Sequence, residues 1–274
     1  MKITEYTQAS AFDNGDVLLK DGVGGTKIIS AADLLLAAVD AAELTQMHRN
    51  IYRGKNLGTS LTAAQKAAIA AQTWDDLFIG DYWVIGGHTW RIADINYWLH
   101  TGDTECTTPH LVIVNDDNLG NQKMEDTNIT TNGYYGSKFV TTYMASALDA
   151  VTSAFGDNVL EYRSLLTTAS SNGHASAFAW QTRKADIMTE IMVYGSKIIS
   201  AMGDGTFVAY NHSVNKSQLA LFALKPDAIT TRYAYWLQDI VSAAAFAYVS
   251  VDGLASVNAA STSFSVRLAF PIHG

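Results

Sequence analysis

The chain has one cysteine, Cys106, in 274 residues. That excludes an internal disulfide and any zinc site built on cysteine pairs. Proline is scarce as well, with three residues, and no proline-rich linker, internal repeat or low-complexity tract interrupts the sequence. Charged residues make up only 16%, against roughly a quarter in ordinary domains. The net charge is -8, and no cluster of Lys and Arg offsets it. Nucleic-acid binding is therefore not expected, because phosphate backbones are held by clustered cations. Long hydrophobic runs are missing too. Those at 31–39 and 243–249 fall far short of the ~20 apolar residues that span a bilayer, so no membrane insertion is expected. The first residues, MKITEYTQASAFDNGD, lack the apolar centre of a signal peptide. The expectation is a protein made in a cytoplasm, which would reach the outside by a route other than ordinary secretion.

What is present is core material. Hydrophobic residues are 48% and aromatics 11%, enough to bury a large core and against disorder. The length suits one large domain or two smaller ones. Val17-Leu18-Leu19 and Lys27-Ile28-Ile29 flank a glycine-rich turn and read as a β-hairpin. Ser30 reads as the N-cap of a helix over 31–44, with Leu34, Leu35 and Ala38 on one face. This piece is too small to hold a core alone. A polar linker is predicted over 48–62 and an Ala-rich helix over 61–72. Gly86-Gly87 sits between two alternating runs, a hairpin signature. Further expectations are a strand at 110–114, helices at 139–154 and 185–194 capped by Gly156 and Gly195, and short strands and loops over 219–270. The pattern is α+β.

Motifs that carry chemistry are weak. Gly22 to Lys27 resembles a phosphate loop but lacks the Gly-Lys-Ser/Thr ending, and a hairpin turn explains it. Asp13 to Asp16 and Asp116-Asp117-Asn118 offer oxygens to calcium without EF-hand spacing, and read as polar turns. His88, His100, His110 and His174 are scattered, with no His pair at helical spacing for a metal. No Gly-x-Ser-x-Gly elbow marks a nucleophile. Trp74, Trp83, Trp90, Trp98, Trp180 and Trp236 read as core. No catalytic residue, metal or cofactor is assigned.

From Ser242 to the end the chain contains no Lys, Glu, Gln, Met or Trp. These five are the amino acids that no codon ending in C encodes. An AAC codon randomised at its adenines would give the other fifteen, including those at Tyr248, Ser250, Val251, Asp252, Leu254, Ser256, Val257 and Asn258. The stretch Tyr235-Trp236-Leu237-Gln238-Asp239-Ile240-Val241-Ser242-Ala243, then Phe246-Ala247, Gly253, Val266-Arg267 and Ala269-Phe270, resembles the C-terminal signature of variable proteins made by diversity-generating retroelements in bacteriophages. The runs GDYWVIGGHTWRIADINYWLHTGD and TPHLVIVNDD are similar to the same group, and FDNGDVLLKDGVGGTKIISAADLL resembles a module that opens many phage structural proteins. Leu268 stands where the family usually has Pro, and Gln238 where it often has Arg.

The resemblance implies a C-type lectin-like domain over 46–274, preceded by a small β-hairpin/helix module over 1–45 for virion attachment or oligomerisation. Trp236, Phe246, Ala247, Gly253, Ala255, Val266, Arg267 and Phe270 would form a framework. A variable ligand-binding surface at 233–264 would use Tyr233, Tyr235, Ala245, Tyr248, Ser250, Val251, Asp252, Leu254, Ser256, Val257, Asn258, Ser261 and Thr262. Tyr with Ser and Asn is also the palette of antibody paratopes. The implied function is that of a receptor-binding or head- or tail-fibre protein on the virion, released by lysis. Its partners would be a bacterial cell-surface protein or glycan and other phage structural proteins, and its state a homo-oligomer, with a trimer preferred. The alternative is a structural decoration protein that binds nothing. The formylglycine-generating enzymes of the same wider fold need paired cysteines, so no enzyme activity is expected. The Glu-Pro-Asn and Trp-Asn-Asp motifs of calcium-dependent sugar binding are missing, so a calcium-independent site is expected.

Overall fold

The hairpin predicted around Gly86-Gly87 forms. In the computed structural model, which describes residues 17–20, 27–30, 44–200 and 217–274, Tyr82–Ile85 (β3) pairs antiparallel with His88–Ile95 (β4). Gly86 and Gly87 both take positive φ, +63° and +82°, as the tightest two-residue hairpin turn requires. Upstream, Val17–Lys20 (β1) pairs antiparallel with Lys27–Ser30 (β2). The turn between them, the Asp13–Asp16 motif and all but the last residue of the helix expected over 31–44 lie outside the described residues. The chain divides into two units, 1–47 and 48–274.

The stretch read as a polar linker over 48–62 is in part structured. The helix Leu44–Asn50 (α1) runs into it, and its polar side chains are used. His48 is buried, with Nδ1 2.8 Å from the Leu77 carbonyl. Arg49 donates two bonds to the buried carboxylate of Asp94, and Arg53 does the same to buried Asp81. The residues look like a linker because their partners lie far along the chain. Ala63–Ala71 (α2) then follows, with a capping box between Thr62 and Gln65 satisfying two backbone N–H groups.

The larger unit contains two five-stranded sheets. In the first, the order is β3, β4, Leu111–Asn115 (β5), Leu268–Ile272 (β14) and Asp186–Ile187 (β9). Every residue of β5 and β14 is buried, which explains their unbroken apolar runs. The helix Ala145–Phe155 (α3) follows a wide helical turn at Phe139–Tyr143, so the predicted helix exists but is not uniform. Its Phe155 meets Trp83, Trp90 and Phe270 at ring separations of 5.6 to 6.2 Å. Five of the six tryptophans are buried, and Trp180 is half-buried.

The second sheet has the order Ala255–Ala259 (β12), Ala245–Val249 (β11), Tyr235–Ser242 (β10), Phe264–Ser265 (β13) and Asn121–Gln122 (β6). A separate long hairpin, Tyr162–Ser171 (β7) with His174–Arg183 (β8), was not foreseen. Asn172 and Gly173 turn it with φ of +51° and +81°. The helix expected over 185–194 is a second correction. Asp186 and Ile187 pair with β14, and only Glu190–Tyr194 (α4) is helical, N-capped by Thr189. A third is the five-residue helix Ala220–Leu224 (α5), within a stretch read as strands and loops. Overall the larger unit is mixed α+β, mostly sheet with few helices.

Candidate functional site

Strands β10, β11 and β12 form an antiparallel meander that ends on a sheet edge. Its centre is packed. Trp236, Phe246, Ala247 and Val249 are fully buried, as are Val266 and Phe270. Its far side opens to solvent. Val251, Leu254 and Val257 are 50%, 67% and 43% exposed. With Tyr233, they make up four of the nine large apolar side chains that are exposed among the described residues. Asp252 is exposed beside them, and Ala245, Ser250, Ser256, Asn258, Ser261 and Thr262 are partly exposed. Burial thus separates most of the expected framework residues from Tyr233, Val251, Asp252, Leu254 and Val257.

Three expected site residues need correction or reassignment. Tyr235 is 1% exposed. Its hydroxyl donates to the Ile229 carbonyl and accepts from Arg267, so it belongs to the framework. Tyr248 is half-buried, its ring stacked on Phe264 at 4.4 Å and edge-on to Trp236. Asn258 accepts from Ala259 N and from the Thr262 hydroxyl, so its side chain shapes the following turn. Of the expected framework, Ala255 is only partly buried. Gly253 has φ +80°, and a Cβ there would sit 2.5 Å from the Thr230 hydroxyl, so the 250–254 turn needs glycine on both counts.

The framework is fastened at three points. The buried Arg267 guanidinium donates to the carbonyls of Asn115 and Ile229 and to the Tyr235 hydroxyl, and lies over the rings of Phe222 and Tyr235. The Asn115 side chain in turn holds the Leu268 N–H and the Val266 carbonyl, joining the two sheets where the chain crosses from β13 to β14. The unforeseen β7–β8 hairpin supplies the third point. Its Gly173 lies so close to Ser242 and Ala243 that a Cβ would come within 2.9 Å of both, and Thr130 bonds both the Ser242 and Ala243 carbonyls. The β10–β11 turn is thus braced from behind.

Behind β10 lies a cavity of about 150 Å³ walled by Asp239, Lys197, His174 and residues of β7 and β8. Asp239 accepts from the Glu190 N–H. Burial and the nearby Glu190 carboxylate push its carboxyl up to about 6, while that backbone bond and Lys197 pull the other way. A carboxyl raised in this way favours the folded state when protonated, and that contribution is lost as pH rises from about 4 through 6. Asp239→Asn should therefore stabilise the protein at pH 8 by on the order of 1–2 kcal/mol, after discounting for its partial exposure. It should change little at pH 4. Denaturant midpoints at the two pH values test this, and an equal effect at both would contradict it.

The other sequence motifs resolve as structure. Asp117 accepts from Thr89 N, and Asn118 from Gly120 N and the Ser265 hydroxyl, which makes a polar turn. His110 is buried against Trp98 and accepts from its N–H, and burial holds its ring down at about 4. Among the described residues no three His, Cys, Asp or Glu side chains converge as metal ligands, and no helix is long and apolar enough to cross a membrane. No family model, curated protein or solved structure matches the chain.

Proposed function

We propose that this chain is a bacteriophage virion protein that displays a diversified ligand-binding surface towards its bacterial host. The larger unit is read as a C-type lectin-like domain, and the N-terminal hairpin module as its attachment to the particle or to sister copies, in a homo-oligomer, preferentially a trimer. One observation carries the reading most. In the segment that resembles the retroelement signature, all but two of the expected framework residues are buried in the core, the exceptions being Gly253, which a turn requires, and Ala255. The intervening Val251, Asp252, Leu254 and Val257 project to solvent from an edge strand and its turn. Exposed apolar side chains grouped on one turn and its edge strand support a contact site. No chemistry is required of the site. Many copies on one particle would raise weak single contacts by orders of magnitude.

The structure changes which variant is informative. Tyr248 and Asn258 hold internal contacts, so replacing them confuses folding with binding. Val251→Ser, Leu254→Ser and Val257→Ser together remove exposed apolar surface alone. Labelled protein is expected to bind at least one isolate in a panel of intact bacteria, and the triple variant to lose that binding with its thermal midpoint unchanged. Undiminished binding by the triple variant would overturn the display reading. No binding to any isolate would favour the decoration protein that binds nothing.

A further inference from the structure

Beside the display turn lies a second feature, a groove of about 470 Å³, within the size range of small-ligand sites. It adjoins the turn through Thr230, whose hydroxyl faces Gly253. Most of its charged groups are already matched. Arg91 donates two bonds to Asp116 and one to the Gly80 carbonyl. Lys225 is paired with Asp227, and Asp117 accepts from the Thr89 N–H. Two guanidiniums remain. Arg232 is exposed and makes no hydrogen bond or ion pair among the described residues. Arg267 is 3% exposed. Its Nε and Nη1 are bonded as described above, but its Nη2 has no hydrogen-bond acceptor and lies 3.9 Å from Asp116 Oδ1.

The charges decide what would fit. Arg91 and Lys225 are offset by Asp116 and Asp227, which leaves Arg232 and Arg267 against Asp117 alone. A cation would meet that surplus positive charge, and a neutral ligand would leave it uncompensated. An oxyanion would accept charge-assisted hydrogen bonds from both guanidiniums, roughly twice as strong as neutral ones. The Arg267 nitrogen matters most. A donor on a buried side chain that lacks an acceptor carries a cost, and a ligand oxygen removes it. Nor can this guanidinium turn away from the groove, because its other nitrogens are bonded and it lies over the rings of Phe222 and Tyr235. Tyr52 and Tyr233 line the same groove while remaining 38% and 46% exposed, and offer ring surface with a polar tip. We propose that this groove binds a small organic oxyanion, a carboxylate or a phosphate ester, through Arg232 and the Nη2 of Arg267, with the uncharged part of the ligand against Tyr52 and Tyr233. Only Tyr233 is shared with the display surface, so this site does not rest on the display reading.

Saturation-transfer NMR on the full chain at low ionic strength tests this, with benzoate and phenyl phosphate as anionic probes, benzyl alcohol as the neutral one and benzylammonium as the cation. At least one anion should bind, more tightly than the neutral and cationic probes, and more weakly as salt is added. Its affinity should fall about tenfold in Arg232→Gln and several-fold in Tyr233→Ala. Asp227→Asn, which removes a carboxylate from the wall, should raise it about threefold. Lys123→Gln, which removes an exposed cation outside the groove, should leave it unchanged, as should the variant with Val251, Leu254 and Val257 replaced by serine. Arg232 holds no internal contact, so the thermal midpoint of Arg232→Gln should match that of the parent. The proposal is overturned if neither anion binds, if the neutral or cationic probe binds as tightly, or if Arg232→Gln weakens binding no more than Lys123→Gln does. Loss of cell binding in the triple variant with anion binding intact would uphold both proposals, and cell binding without anion binding would remove this one alone.

Discussion

Phe246→Ala is expected to destabilise the protein by about 3–5 kcal/mol, the range for deleting a large buried aromatic. Phe246 is fully buried at the centre of the last meander, opposite Ile240 on β10 and Asn258 on β12. Its removal leaves a cavity in the packed core, and partial relaxation is what makes such deletions costly. Leu254→Ser, on the same meander, is expected to lie within about 0.5 kcal/mol of the parent, because two-thirds of its surface is already in water. Chemical denaturation of the two variants gives the comparison. A contrast this sharp between close positions is what a framework that tolerates rewritten side chains requires.

Asp186→Ala has the second large effect, also about 3–5 kcal/mol. The carboxylate is 2% exposed. It takes two bonds from Arg183 and one from the Tyr134 hydroxyl, with the Tyr162 hydroxyl as a further donor. Burial pushes its carboxyl upward, and the Arg183 charge works against that. Removing Asp186 leaves a guanidinium uncompensated and a buried phenol without its acceptor, the situation in which a broken buried pair costs most. The double variant Asp186→Ala with Arg183→Met should be less destabilised than Asp186→Ala alone, because the orphaned charge goes with its partner. A double-mutant cycle by denaturation measures that coupling. Additive losses would mean that the pair does not act as a unit.

The same region shows what the sequence could and could not disclose. The Gly86-Gly87 hairpin was legible, as were the strand at 110–114 and the Ala-rich helix that follows Thr62. The β7–β8 hairpin carries an Asn-Gly turn signal at Asn172-Gly173. Its strands, YRSLLTTASS and HASAFAWQTR, are rich in Ser, Thr and Ala, and most of their residues are only half-buried, so no strong alternation frames the turn. Residues 185–194 read as a helix because their apolar spacing allows it. Pairing with β14 claims Asp186 and Ile187 instead, a tertiary choice that local pattern does not carry.

Within the candidate site, the framework positions followed from the resemblance of the segment to the retroelement signature, and Trp236, Phe246, Ala247, Val266, Arg267 and Phe270 are buried. Tyr235 was misplaced for a specific reason. A tyrosine two residues after Tyr233 shares its pattern, but its hydroxyl completes the bonding of Arg267 across 32 residues. The bracing of the turn by Gly173 and Thr130 joins residues more than 60 positions apart, so no local spacing announces it.

A complete single-substitution scan over 245–264, read in parallel for protease-resistant folding and for binding to a bacterial isolate that the parent protein recognises, tests the central claim most directly. The account predicts that folding is lost by substitution at Phe246, Ala247, Val249, Gly253 and Ala260, and that it survives at Val251, Asp252, Leu254 and Val257, where binding alone changes. Folding that fails at Val251, Leu254 and Val257 as readily as at Phe246, or binding that no exposed position alters, would contradict it.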